Sequence, residues 1–367
     1  MSEFTRPIGV PKDQILASRL TLNPGMRPFY RMLGQRTKRK LIGVGLGAST
    51  WEGSVADPNR QISCQLEKML QNSYNPAGVT GGYSLKCRNA GVAGALGWVK
   101  SGSSGEILDQ DTKKLSTLAA GTTATHTTFQ PSTGLDIFFP SGPTVGAFTV
   151  TIDGGAPITV TPSSTEGYTE KWSSGVLTRQ VHTYVITATS ATVIGLTYIR
   201  DQDENYGLRL YNFGRAGGAT TQFVDSTADS TWARITSMQP DFFTLMLGHN
   251  NLGATTVAQM QTDLGIIADR AAAIDTTKKV PILVMAQHST DSRWPAFHAG
   301  IKAFAQTRGL PFASFYDFFA KDTTAATTSG DYYTDNLHLI NEGHDIAALA
   351  VADQWQLPSR KTFAVTP

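Results

Sequence analysis

A chain of 367 residues with 40% hydrophobic and 16% charged content can build one large or two smaller domains and has no signature of disorder. Its formal net charge of +2 is too small to argue for nucleic acid through phosphate neutralisation. No apolar stretch approaches membrane-spanning length, and the start, MSEFTRPIGVPKDQ, lacks a signal-peptide core. The expectation is a soluble chain with no membrane partner, cytoplasmic or carried by a virion such as a phage tail.

Residues 1–39 read as an irregular arm broken by Pro7, Pro11, Pro24 and Pro28, with a short helix over 29–35. The basic run from Arg36 to Lys40 reads as a solvated helix end. Residues 41–45 form an apolar run without polar alternation, as expected of a strand buried on both faces of a parallel sheet. The run breaks at Gly45-Leu-Gly-Ala-Ser49, where two glycines suggest a tight turn. Ligands of open α/β sheets bind outside the carboxyl ends of the strands, which makes Ser49 a candidate nucleophile. On this stretch alone, a hydroxyl capping the next helix explains Ser49 better. Residues 61–71 carry Ile62, Leu66, Met69 and Leu70 on one helical face. The two cysteines, Cys64 and Cys87, show neither metal-ligand spacing nor a disulfide framework, and their pairing stays open.

Over residues 105–203 the period becomes two. Phe148, Val150 and Ile152 alternate with polar residues, Asp153-Gly-Gly155 supplies hairpin-turn chemistry, and alternation returns at Tyr184-Ile186-Ala188 and Ile194-Leu196-Tyr198. This predicts an inserted antiparallel β-sandwich. Tyr168 and Trp172 are either sugar-stacking rings or core filler, and His126 and His182 read as surface residues. After Asp203 the helix–strand rhythm returns. Strands are expected at 207–211, 241–247, 280–286 and 311–315, with helices at 221–238, 257–274, 296–308 and 342–354. Five strands alternating with helices predict a three-layer α/β/α sandwich around a five-stranded parallel sheet.

The polar blocks fall at strand ends in a fixed order: Gly47-Ala48-Ser49; Asn212 with Gly217; Gly248-His249-Asn250-Asn251; and Asp335-Asn336-Leu337-His338, followed by Gly343-His344. This order resembles the SGNH hydrolases, also called GDSL esterases. The resemblance covers all but the arm and the insert. Ala48 and Asn251 stand where the family pattern has Asp, each beside the functional residue. Asn89 to Gly94 also fits the second block, but Asn212 to Gly217 has the family spacing to Gly248.

The resemblance implies a flavodoxin-like fold and ester hydrolysis by Ser49, His338 and Asp335. A serine hydroxyl needs a base to take its proton. His338 suits that role near neutral pH, and Asp335, three residues earlier, can hold the other imidazole proton. The oxyanion would be met by the Ser49 and Gly217 amides and the Asn250 side chain. His249 and His288, at strand ends, are candidates for substrate contact. No metal cluster, Walker loop or dinucleotide fingerprint occurs, so no cofactor or metal is expected. The sequence therefore suggests a carbohydrate O-deacetylase acting on an acylated polysaccharide of a bacterial surface. SGNH proteins with a β-sandwich inserted after the first block are similar to phage tail-associated proteins and polysaccharide esterases. The expected organisation is a catalytic domain of 1–104 and 204–367 interrupted by the insert at 105–203, oligomeric if virion-associated. The alternative is a receptor- or glycan-binding tail protein on the same scaffold with little activity.

Overall fold

A computed structural model of the protein describes residues 24–53, 56–57, 60–86, 99–101, 104–107, 115–143, 145–165, 167–189, 194–196, 198–202, 205–224, 230–319, 332–333, 337–355 and 357. Cys87, the stretch from Asn89 to Gly94, and Asp335 lie outside the described residues.

Five parallel strands form the central sheet: β1 (Lys40–Gly47), β2 (Gly207–Gly214), β3 (Phe242–Met246), β4 (Ile282–Ala286) and β5 (Phe312–Ser314). Their spatial order is β2-β1-β3-β4-β5. The helices are α1 (Arg27–Leu33), α2 (Ser49–Glu52), α3 (Ile62–Tyr74), α4 (Thr221–Val224), α5 (Ser230–Met238), α6 (Val257–Ala273), α7 (Trp294–Thr307), α8 (Phe315–Phe319) and α9 (Asn341–Gln354). Leu208, Leu210, Phe242 and Met246 pack with Phe29, Leu66, Leu70 and Val351 on one face of the sheet. Tyr211, Phe213, Phe243 and Leu245 pack with Ile235, Leu264 and Ile301 on the other. Successive strand residues thus enter different cores, which is why the strands read as largely apolar runs without regular polar alternation. The fold is the three-layer α/β/α arrangement the sequence implies.

Among the described residues, side chains rather than further strands close both sheet edges. On β2, the Leu208 amide donates to Asn75 Oδ1 and the Leu208 carbonyl accepts from Gln71 Nε2. The Leu210 amide donates to Glu67 Oε1, and Ser84 Oγ donates to the Leu210 carbonyl while accepting from the Asn212 amide. On β5, the Gln354 side-chain amide meets both the amide and the carbonyl of Ser314, at 2.8 Å each. An open edge would leave these groups unpaired beside packed helices or exposed to strand addition.

Residues between β1 and β2 form antiparallel sheets. One orders strands Gly167–Ser173, Gly134–Ser141, Tyr198–Gln202 and Gly82–Lys86. A second orders Val99–Ser101, Thr123–Thr127, Thr183–Ala188, Phe148–Ile152 and Ile158–Val160. They share one core, built from Tyr83, Leu135, Ile137 and Phe139 against Ala124, Phe148, Val150, Tyr184 and Ile186. Phe138, on the opposite pleat, meets Tyr211 of β2 edge-on with ring centroids 5.8 Å apart. Antiparallel pairing begins at Gly82, ahead of residue 105. The Asp153-Gly154 turn has positive φ at both residues, 50° and 73°, and the Gly155 amide donates to the Ile152 carbonyl across it, as a β-turn of the primed type requires.

Three local expectations need correction. Ile194-Leu196 and Tyr198 are not one strand: Ile194–Leu196 and Tyr198–Gln202 lie in different sheets. His126 and His182 are not surface residues, being 0% and 2% exposed. His126 Nε2 meets the Tyr83 hydroxyl at 3.2 Å, and His182 bridges Asp153 Oδ2 and the Thr178 carbonyl. The basic run is not only solvated. Arg36 Nε donates to the Tyr74 carbonyl, and Arg39 forms a two-pronged ion pair with buried Asp241.

Candidate active site

β1 delivers Ser49 to the carboxyl edge of the sheet as the first residue of α2. Gly45 and Gly47 serve a different purpose from the turn expected of them. Neither has positive φ. A Cβ at Gly45 would lie 2.2 Å from the Trp51 ring, and one at Gly47 2.2 Å from Trp51 Cβ. The glycines let α2 fold back on its own strand, where the Trp51 indole donates to the Gly45 carbonyl at 2.9 Å. Ala48 occupies the N-cap with no side-chain capping bond. An Asp there could accept from the first helical amides, so its absence weakens the support of α2.

Ser49 Oγ lies 3.0 Å from His338 Nε2, although the residues are 289 apart in sequence. Ser49 is 8% exposed and His338 is half-buried. His338 is held by its neighbours. Leu339 is fully buried and bridges to Tyr333, and the Ile340 amide donates to the Tyr332 carbonyl. The Gly343-His344 pair then explains itself. A Cβ at Gly343 would sit 2.3 Å from the Tyr332 carbonyl oxygen. His344 Nδ1 accepts from the Ile62 amide, the first of α3. Burial drives His344 down to about 3, with the neighbouring His338 adding to it, so the ring is a neutral strut between α9 and α3.

Asn212 is 3% exposed. Its side-chain amide donates to the Trp51 carbonyl and to Ser63 Oγ, and its Oδ1 accepts from the Gly214 amide. It braces α2 against α3 and β2. The Arg215 amide donates to the Gly47 carbonyl, tying the following loop to the end of β1. In that loop Gly217 adopts φ 69°, a conformation suited to glycine. Gly218, its neighbour, accepts from Asn250 Nδ2 at 3.1 Å. One Nδ2 hydrogen of Asn250 is therefore used, and the amide has a second. The structure brings the loop bearing Gly217 together with Asn250, and His338 together with Ser49.

Asn251 is fully buried and makes no contribution to the reactive groups. Its Oδ1 accepts from the Thr220 amide, and its Nδ2 donates to the hydroxyls of Thr220 and Thr255. Thr220 Oγ1 in turn donates to Asp263 Oδ2 at 2.6 Å. Because the one Thr220 proton goes to Asp263, position 251 must supply a donor. Asn meets that need and Asp does not.

His249 Nε2 meets Ser289 Oγ at 2.9 Å, and its ring is tilted over Trp294 at 5.4 Å. Burial holds His249 below its ordinary value. His288 is 1% exposed and sits near the Tyr316 and Tyr333 rings, at 5.8 and 5.2 Å. Burial lowers it to about 4, helped by nearby His249, so it backs the site as a neutral ring. Burial raises the Tyr333 phenol above its ordinary range. Ser289 and Tyr333 escaped the sequence reading. The polar triplet Gln287-His288-Ser289 directly after β4 was a signal for Ser289; Tyr333 had none. Trp172 is half-buried and packs on the insert's core, and the Tyr168 side chain lies outside the described residues.

Residues 186–346 match the model of the GDSL-like Lipase/Acylhydrolase family. That span contains Asn212, Gly217, Asn250 and His338, with Ser49 ahead of it. Among solved structures, a peptidoglycan O-acetylesterase aligns over 92% of this chain and 96% of its own, at 15% identity and a TM-score of 0.68. This likeness shows the fold. Family two carbohydrate esterases from Cellvibrio japonicus and from Clostridium thermocellum, the latter in complex with cellohexaose, are 9% and 10% identical. They align over 75% and 70% of this chain and 98% of each of theirs, with TM-scores of 0.30 and 0.33, too low to carry an argument. No curated protein matches the chain.

Proposed function

We propose that this chain, which belongs to the GDSL-like lipase/acylhydrolase family (the SGNH hydrolases), hydrolyses carboxyl esters by acyl transfer through Ser49. The observation that carries the proposal is the 3.0 Å contact between Ser49 Oγ and His338 Nε2. In this reading Ser49 Oγ attacks the acyl carbon as His338 takes its proton. The carbonyl electron pair moves onto oxygen, where the second Asn250 Nδ2 hydrogen and the Ser49 and Gly217 amides receive it. Collapse expels the alkoxide, which recovers the proton from His338. Water, activated by the same imidazole, then releases the acid and restores Ser49. Asp335 is assigned as the partner of the second imidazole nitrogen from its place three residues before His338.

The proposed substrate is an O-acetylated polysaccharide of a bacterial surface, with residues 105–203 holding the polymer and His249 lining the acyl site. The antiparallel sheets between β1 and β2 support it, as does a fold shared with a peptidoglycan O-acetylesterase. Departure from the family's Asp at position 251 does not favour a binding-only scaffold, since Asn251 is spent on Thr220 and Thr255. The test is acetate release from O-acetylated peptidoglycan and other O-acetylated glycans, beside an aryl acetate. Glycan deacetylation lost in Ser49→Ala is expected. Aryl-acetate turnover with no release from any glycan overturns the substrate class. No turnover of either overturns the enzyme and leaves a binding protein.

A further inference from the structure

The opposite end of the sheet holds a second feature, unrelated to ester hydrolysis. A cleft of about 610 Å³ opens where β1 and β3 begin, between α1 and the segment ahead of β4. Five cations line it: Arg27, Arg31, Arg39, Lys278 and Lys279. Among the described residues, the one carboxylate in its lining is Asp241, 1% exposed. Asp241 accepts from both terminal nitrogens of Arg39, from Lys278 Nζ at 2.8 Å and from the Ile42 amide. Burial works against its charge, but the hydrogen bonds from Arg39 and Lys278 prevail and keep it ionised below its ordinary value. Lys278 also meets Asp275 at 3.4 Å. These carboxylates engage Arg39 and Lys278. Arg31 and Lys279 are exposed and have no ion pair among the described residues. A concave wall bearing five cations and one carboxylate, with Asp275 beside it, holds a positive potential that a flat surface would dissipate.

The rest of the lining selects among anions. Gln35 offers an amide, Thr277 a hydroxyl oxygen that can accept while its proton goes to Asp275, and Pro28 and Met32 an apolar floor. Among the described residues no aromatic side chain lines the cleft; Phe29 and Tyr30 of α1 face the core. Binding of single-stranded nucleic acid leans on aromatic stacking, which is missing. Hydroxyl-bearing units with regularly spaced anionic groups fit this mixture better. The geometry points to an anion-binding cleft for an acidic glycan, its carboxylate or phosphate groups on Arg31, Lys279 and Arg27 and its hydroxyls on Gln35 and Thr277. The eight residues of β1 set the cleft roughly 26 Å from the Ser49 edge. It is therefore an attachment point separate from the acyl site, and the inference does not rest on the esterase reading.

The test uses the full chain. Binding is measured by calorimetry against polygalacturonate, a poly(glycerol phosphate), neutral dextran and an oligo-dT. Polygalacturonate or poly(glycerol phosphate) should bind at low salt, weaken as salt rises, and weaken by about tenfold or more in Arg31→Glu/Lys279→Glu. The two polymers distinguish carboxylate from phosphate recognition, and binding of either with that loss supports the cleft. Arg31→Gln/Lys279→Gln should fall between wild type and the reversal, with melting temperature and aryl-acetate turnover unchanged in both. Absence of binding by either polymer, binding unaffected by both variants, or equal retention of neutral dextran overturns the proposal. Tighter binding of oligo-dT also overturns it, in favour of nucleic acid.

Discussion

The parallel sheet and the antiparallel layers bury their residues by different rules. All eight residues of β2 are buried, as are all five of β3 and of β4. Thr183–Ala188 alternates strictly between half-buried and buried. A strand covered on both faces has little room for polar side chains along its length, Thr244 of β3 and Arg209 of β2 being buried exceptions, and Ser49, Asn212, Asn250 and His288 are found at or near strand ends. A strand covered on one face can put polar groups anywhere along its outer side. Position along a strand is thus informative about chemistry in the first region and uninformative in the second.

Breaking this contrast at its strongest point gives the largest expected effect. Ser49→Ala should lower aryl-acetate turnover by at least about 10⁴-fold while the far-ultraviolet dichroism and melting temperature hold. Next is Asn250→Ala. Losing one oxyanion donor should cost roughly 10²–10³ in kcat with little change in KM. A change confined to KM would make Asn250 a binding residue instead.

Protons probe the same region. Burial keeps His344 and His288 neutral in the fold, with values near 3 and 4. In the unfolded chain both titrate near 6.5, so the unfolded state takes up protons first as pH falls. The stability they contribute is present above about pH 6.5 and lost below it. The folding constant should drop by up to about tenfold per pH unit for each histidine between about 6 and 4. Denaturant midpoints across that range check this, and His344→Gln should flatten the slope.

Smaller effects are expected from the supporting groups. Asn251→Asp should cost about 1–3 kcal/mol by leaving Thr220 without a donor beside Asp263. The exchange Asn251→Asp/Asp263→Asn reverses the direction of the chain of hydrogen bonds and should recover part of the loss. No recovery would show that the network is not directional. Ser84→Ala removes the cap on the Leu210 carbonyl and Asn212 amide and should cost about 1 kcal/mol. Val176→Ser, on an insert residue 86% exposed, should stay within about 0.5 kcal/mol.

Much of the parallel region was legible because periodicity and strand ends report on it. The largely apolar runs located every central strand, and the order of the polar blocks, through its resemblance to the SGNH pattern, is what singled out Ser49, Gly217, Asn250 and His338. The reasons for particular residues were less legible. Gly45 and Gly47 read as turn formers, yet they make room for Trp51, a contact visible only in three dimensions. Asn251 looked like a lost acid, while Asp263 twelve residues later explains it. His126 and His182 sit in an alternating stretch where inward and outward phases look alike until the partner strand is known, and burial of a paired histidine breaks the pattern. The edge closures by Glu67, Gln71, Ser84 and Gln354 had no signal, because a polar residue on a helix, or on a strand as Ser84 is, ordinarily reads as solvent-facing.

Covalent trapping reads out whether Ser49 is the nucleophile. A fluorophosphonate reacts with a serine whose proton is drawn off by a base, and the adduct can be located by peptide mass spectrometry. The expected result is one adduct per chain, on Ser49, forming in step with loss of aryl-acetate turnover and absent in His338→Ala. Turnover that survives full labelling of Ser49, or an adduct on another serine that tracks inactivation, would contradict it.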